Sequence, residues 1–195
     1  MAPSVKQRKI AILGSRSVGK SSLTVRYVEG HFVESYYPTI ENTFSQEIQY
    51  KGQTFLTEII DTQGQDEYSM LNSKHFIGIH GYMLVYSVAS QQSFEMIKVI
   101  HEKILNHLVV RLTLFEGADS VPIMIVGNKS DVQEGQRRVS EEQGKKAARE
   151  LKGGFVETSA RENKHVTKAF ELMIAEIERT AEPEKPAGGG KCSVM

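Results

Sequence analysis

Two residues in this chain stand where a polyphosphate could be held. Lys20 and Ser21 close the run "GSRSVGKSS", Gly14 to Ser22, whose frame is G-x-x-x-x-G-K-S. In such a frame backbone N–H groups converge on one point, and the helix that follows adds its positive end. Glycine at Gly14 and Gly19 lets the chain curl without side-chain clashes. Lys20 would neutralise the outer phosphates, and Ser21 would place its hydroxyl on Mg²⁺. A chance match in a chain of 195 residues has odds on the order of one in a hundred. Arg16 is the odd member, a large cation in a loop that calls for small residues.

A second set could read a base. "NKSD" supplies Asn128, Lys129 and Asp131, and "TSA" supplies Ser159 and Ala160. A carboxylate such as Asp131 accepts two parallel hydrogen bonds from adjacent N–H donors, which guanine offers and adenine does not. Alone, "NKSD" reads equally well as a solvated turn. Behind a strand, with the phosphate loop upstream and "TSA" downstream, it points to guanine. The six histidines show no metal-ligand spacing: His75 with His80 and His101 with His107 miss the i, i+4 face. Arg137, Arg138, Lys145 and Lys146 read as solvated surface.

Elements must position these residues. "KIAILG", Lys9 to Gly14, is a short apolar run that reads as a central strand entering the loop. "KSSLTVRYVEG" follows as a helix ended by Gly30. "NTFSQEIQY" and "TFLTEIID" flank Lys51-Gly52-Gln53 as a hairpin. "GYMLVYSV", "VPIMIVGNK" and "GGFVETSA" are further strands. A helix from about Ser93 carries Leu105, Leu108, Val109 and Leu112 at helical spacing, read as a core face. Ser140 with Gln143 forms a capping box for a helix through Leu151, and a last helix runs to about Ala181. Strands alternating with helices make an α/β domain with a mostly parallel sheet.

Composition bounds the rest. The hydrophobic share of 39% and charged share of 25% suit one folded domain, and the net charge of +0 gives no attraction to nucleic acid. No run is long enough to span a bilayer, and "MAPSVKQRK" lacks the apolar stretch of a signal peptide, so a cytosolic protein is expected unless it is tethered. The single cysteine, Cys192, lies in "CSVM", a C-a-a-X box whose methionine favours farnesyl. The preceding "EPEKPAGGGK" has linker composition.

In order, "GSRSVGKSS", "YPTIE", "DTQGQDEY", "NKSD", "ETSA" and "CSVM" resemble a Ras-superfamily small GTPase from about Lys9 onward. Arg16-Ser17, "PTIENTF" and "CSVM" together resemble the Rheb branch. The resemblance implies a P-loop NTPase G domain over residues 1–181, with a six-stranded, mostly parallel sheet and five helices, and a flexible tail over residues 182–195. It implies a monomeric switch that exchanges GDP for GTP, with Mg²⁺, and hydrolyses GTP slowly. Its nucleotide contacts would be Gly14, Ser15, Arg16, Ser17, Val18, Gly19, Lys20, Ser21 and Ser22, then Phe32, Val33, Glu34, Tyr36, Pro38 and Thr39, then Gly64 and the two base-reading loops. Ser21, Thr39 and Asp61 would hold Mg²⁺, Asp61 through a water; Gly64 would donate its N–H to the γ-phosphate. Gln65, Thr39 and Lys20 would carry catalysis, Gln65 by placing the attacking water. Phe32 would pack on guanine, although a core anchor is the other reading of that ring.

The effector region would be Tyr36, Tyr37, Pro38, Thr39, Ile40 and Glu41. Implied partners are an activating protein, an exchange factor whose identity the chain does not give, a TOR-type kinase complex and farnesyltransferase. A farnesyl on Cys192 would place the protein at the cytosolic face of internal membranes, with a cytosolic pool. Gln63 and Tyr37 depart from the family pattern, which has alanine and an acidic residue there. A module that holds GTP without hydrolysing it is a second reading, favoured by Arg16; a P-loop phosphotransferase is a third, and "NKSD" with "TSA" leaves little chain for its acceptor site.

Overall fold

A computed structural model of the chain describes residues 5–34, 38–66, 77–112 and 121–181. Its centre is β1 (Lys6–Leu13), where Ile10, Ala11, Ile12 and Leu13 are wholly buried. Burial on both faces explains a continuous apolar run rather than an alternating one. β1 pairs in parallel with β3 (Gln53–Thr62) on one side and β4 (Gly81–Ser87) on the other. β5 (Ile123–Asn128) and β6 (Gly154–Glu157) continue that direction. β2 (Glu41–Tyr50) is antiparallel to β3, joined by Lys51 and Gly52, both at positive φ, in a two-residue turn that pairs Tyr50 with Gln53. The sheet order is β2-β3-β1-β4-β5-β6, six strands and mostly parallel as expected.

Helices cover both faces. α1 (Lys20–Glu29) and α4 (Val166–Ala181) lie on the side of Ile10 and Ile12, where Leu23, Phe170, Met173 and Ile174 complete the core. α2 (Gln91–Leu112) and α3 (Glu141–Glu150) lie on the side of Ala11 and Leu13. Five helices are implied by the family resemblance; among the described residues there are four, plus one turn of 3₁₀ helix at Glu134–Gln136. The apolar face of α2 also differs from expectation. Met96, Ile97, Ile100 and Ile104 are its buried apolar residues, Leu108 packs against them as expected, Leu105 is 38% exposed, and the side chains of Val109 and Leu112 lie outside the described residues. At 3.6 residues per turn, Ile104 and Leu105 cannot share a face. Among the described residues no helix is long and apolar enough to cross a membrane.

Candidate functional site

The phosphate loop joins β1 to α1, and it is held tight. Gly14 (φ +152°) passes so near Val85 that a Cβ there would lie 2.1 Å from the Val85 carbonyl oxygen. Gly19 (φ +95°) caps α1, and a Cβ on it would sit 2.4 Å from the amide nitrogen of Asn128. Only glycine fits at either place. Ser17 takes a left-handed backbone as well, a costlier choice that the surrounding loop must enforce. Lys20 turns back under the loop and donates to the carbonyls of Gly14 and Ser15, each at 3.0 Å. Burial brings its pKa down to about 8, against the pull of the Asp61 carboxylate.

Beside Lys20 lies a cluster of oxygens. The hydroxyls of Ser21 and Thr39 are 2.7 Å apart, although 18 residues separate them. Asp61, at the end of β3, is fully buried, and neither carboxylate oxygen has a hydrogen-bond partner. Burial raises its pKa; the nearby Ser21 hydroxyl and the Lys20 ammonium oppose the rise. An orphaned carboxylate behind two hydroxyls is a donor set of hard oxygens, suited to a small divalent cation.

The base-reading loops meet the phosphate loop at Asn128. Its amide donates to the Val18 carbonyl (2.9 Å), while its oxygen accepts from the Thr158 hydroxyl (3.1 Å) and the Ala160 N–H (3.3 Å). The residue expected to contact a base is thus also a clamp between three loops. Lys129 follows at positive φ. The Ser159 hydroxyl donates to Asp131 at 2.6 Å and fixes that carboxylate. Ser159 and Ala160 are buried, and Ser159 is further held by the N–H of Glu162.

The segment after β3 folds onto the phosphate loop. The N–H of Gln65 donates to Gly14 O (3.0 Å). Its side chain is buried, with the amide donating to Gln63 O (2.8 Å) and the Thr62 hydroxyl (3.4 Å) and the amide oxygen unpartnered. Thr62 is anchored in turn by Ile12 O at 2.7 Å. Gly64 lies against Arg16, so closely that a Cβ would come within 2.5 Å of the arginine Cγ. The Arg16 side chain is 65% exposed and runs outward, its guanidinium 3.7 Å from Asp66. Gln63 is exposed; its carbonyl rather than its side chain does the local bonding.

Phe32 is half-buried and sits beneath the Arg26 guanidinium, 6.0 Å from its carbon. Val33, Glu34 and Pro38 are exposed, as is Ile40, at 87%, just before Glu41 opens β2. Ser22 is partly buried on α1. Tyr36, Tyr37 and Cys192 lie outside the described residues. Thr62, Thr158 and Arg26 support the site without having been singled out in the sequence; the two threonines stand inside "DTQGQDEY" and "ETSA", whereas nothing in the spacing marks Arg26.

The Ras family profile matches residues 9–179, nearly the whole described domain. The chain belongs to the Ras family. Among its relatives, the small monomeric GTPase RhbA of Aspergillus fumigatus is 64% identical over 195 residues, all of both chains. GTP-binding protein rhb1 of Schizosaccharomyces pombe is 62% identical over 194 residues, again spanning both chains. GTP-binding protein Rheb of Homo sapiens is 48% identical over 193 residues, 99% of this chain and 100% of that one. The resemblance to the Rheb branch drawn from Arg16-Ser17, "PTIENTF" and "CSVM" agrees with these relatives, and the chain is a Ras-family GTPase.

Proposed function

We propose that this GTPase works as a slow switch of the Rheb type, holding GTP or GDP along the phosphate loop and signalling through the segments that begin at Thr39 and Gly64. The observation that carries the reading is Asn128, whose side-chain hydrogen bonds join the phosphate loop to the loop of Thr158 and Ala160. One side chain thereby registers the phosphate-binding end against the base-binding end. Relatives described as GTP-binding and, in one case, as a small monomeric GTPase support both the ligand and a monomer.

In this reading Lys20 and the loop N–H groups neutralise the β- and γ-phosphates. Ser21 and Thr39 would hold Mg²⁺ by their hydroxyls, and Asp61 would back them through a water. Bound there, Mg²⁺ would supply positive charge to offset the negative charge that the phosphate oxygens develop during transfer. Asp131, oriented by Ser159, accepts the paired N–H donors of guanine, and Phe32 packs on the ring. Gly64 contributes its N–H to the γ-phosphate, so both switch segments are tied only while that phosphate is present. Gln65 orders the attacking water. Slow turnover follows from the bonds that hold its amide on Gln63 and Thr62, which must open first. The same bonds favour the second reading, a module that holds GTP and scarcely hydrolyses it. Single-turnover hydrolysis with Mg²⁺ separates the two.

The finer assignments rest on the resemblance and the tail. Ile40 and Glu41, with Tyr36 to Thr39 before them, form the effector region for a TOR-type kinase complex. An activating protein and an exchange factor work the cycle, and farnesyltransferase modifies Cys192 for residence on the cytosolic face of internal membranes, with a cytosolic pool. The domain is residues 1–181 and the tether residues 182–195.

The base assignment is tested by Asp131→Asn. Preference should turn toward xanthine nucleotides, whose exocyclic oxygen suits an amide donor, and GTP binding should weaken by at least ~2 kcal/mol. Unchanged GTP affinity would overturn the reading.

A further inference from the structure

Arg26, half-buried in the last turn of α1, spends its guanidinium on backbone carbonyls. Nη1 donates to Gly30 O at 2.9 Å. That bond satisfies one of the open carbonyls at the end of α1, where a cation is also favoured by the helix dipole. The other two bonds have nothing to do with the helix. Nε donates to Ala160 O at 2.9 Å and Nη2 to Arg161 O at 3.0 Å, in the loop that follows β6. The cation also stands over the ring of Phe32.

These bonds complete a circuit. The Ala160 N–H donates to Asn128, Asn128 donates to Val18 in the phosphate loop, and that loop opens α1, which carries Arg26. Every link is a hydrogen bond or one continuous helix. Removing Arg26 would leave Ala160 held from one side only and Phe32 without its cationic cover. A planar fork with five donors can serve three carbonyls at once; a lysine ammonium cannot reach all three from one nitrogen.

We infer that Arg26 is a positioning residue for the nucleotide: by fixing Ala160 and Phe32 relative to α1, it sets how slowly bound nucleotide leaves. The inference rests on the guanine reading of the cradle proposed above. Arg26 meets neither the phosphate-binding groups nor Gln65, so it acts on residence and not on the chemical step.

The test is release of a fluorescent GDP analogue from the full-length protein into excess unlabelled GDP. Arg26→Ala should speed release about tenfold and Arg26→Lys about threefold, since lysine keeps the charge and one bond. Single-turnover hydrolysis of preloaded GTP should stay within about twofold of wild type in both variants, which a general loosening of the fold would not allow. A simple helix cap would be rescued fully by lysine, so wild-type release from Arg26→Lys overturns the inference. Release from Arg26→Ala within about twofold of wild type overturns it too; if that variant does not fold, Arg26→Lys alone decides. Asp131→Asn is run beside them. If it speeds release while the Arg26 variants do not, only Arg26 has been misread; if it leaves release unchanged, the guanine reading fails and takes this inference with it.

Discussion

Arg16 shows what a single side chain can exclude. Its stem lies on Gly64 and its head points away from the loop toward Asp66, two-thirds exposed. We propose that this long cation, with its head in water, would crowd the approach to bound phosphates without serving them. The Arg16→Gly variant should therefore hydrolyse GTP in a single turnover as fast as wild type or faster, at equal nucleotide affinity. A built-in finger would instead be worth roughly 10³-fold or more, so a hundredfold fall at unchanged affinity would show the opposite role. The motif residues themselves were legible in the sequence, because Gly14, Gly19, Lys20 and Asp131 have chemistry that dictates their type and spacing. What those residues do besides was not. Asn128 reads as a base contact, yet its geometry is that of a three-way clamp; Gln65 reads as a water-positioning group, yet its amide is bonded inward. Arg26 was invisible, since its acceptors lie four, 134 and 135 residues away and are backbone atoms that carry no side-chain signature.

At the scale of elements, local signals were reliable and faces were not. The capping box at the start of α3 is present in both halves, Gln143 N–H to Ser140 Oγ at 3.2 Å and Ser140 N–H to Gln143 Oε1 at 2.8 Å. Ser140→Ala should cost about 1 kcal/mol of stability by chemical denaturation of the GDP-bound protein, with no change in nucleotide release. A loss well under a few tenths would mean that the helix start is held by packing instead. Gly30 at the end of α1 and Ala181 at the end of α4 fall where the sequence puts them. Of the α2 leucines, Leu108 packs inward as its spacing suggests and Leu105 misleads, because Ile104 and Leu105 are both apolar and periodicity alone does not say which of two adjacent residues turns inward. Tertiary contact decides that, here with β4 and its buried Tyr82, Leu84 and Tyr86.

At the scale of the whole molecule, the proposed tether would decide membrane contact. In the tail, Glu182 and Glu184 offset Lys185 and Lys191, so a single farnesyl on Cys192 would have no polybasic help. One lipid chain gives marginal, reversible attachment. The processed protein should exchange on and off neutral vesicles, and Cys192→Ser should abolish binding while leaving nucleotide affinity intact; tight retention of the processed protein would contradict the one-anchor account. The root of that tail is tied to the other end of the chain. Lys6 and Arg8, at the start of β1, pair with Glu178 near the end of α4, across 172 and 170 residues. Synthesis therefore produces the central strand before either of its neighbours exists, and delivers Glu178 long after both. Contacts of such separation must wait for long loops to close. A growing chain carries β1 as an apolar segment until β3 and β4 have been made to flank it, and the face that holds Ile10 and Ile12 waits longer still, for Phe170, Met173 and Ile174 of α4: this strand is the first to be made and the last to be fully covered.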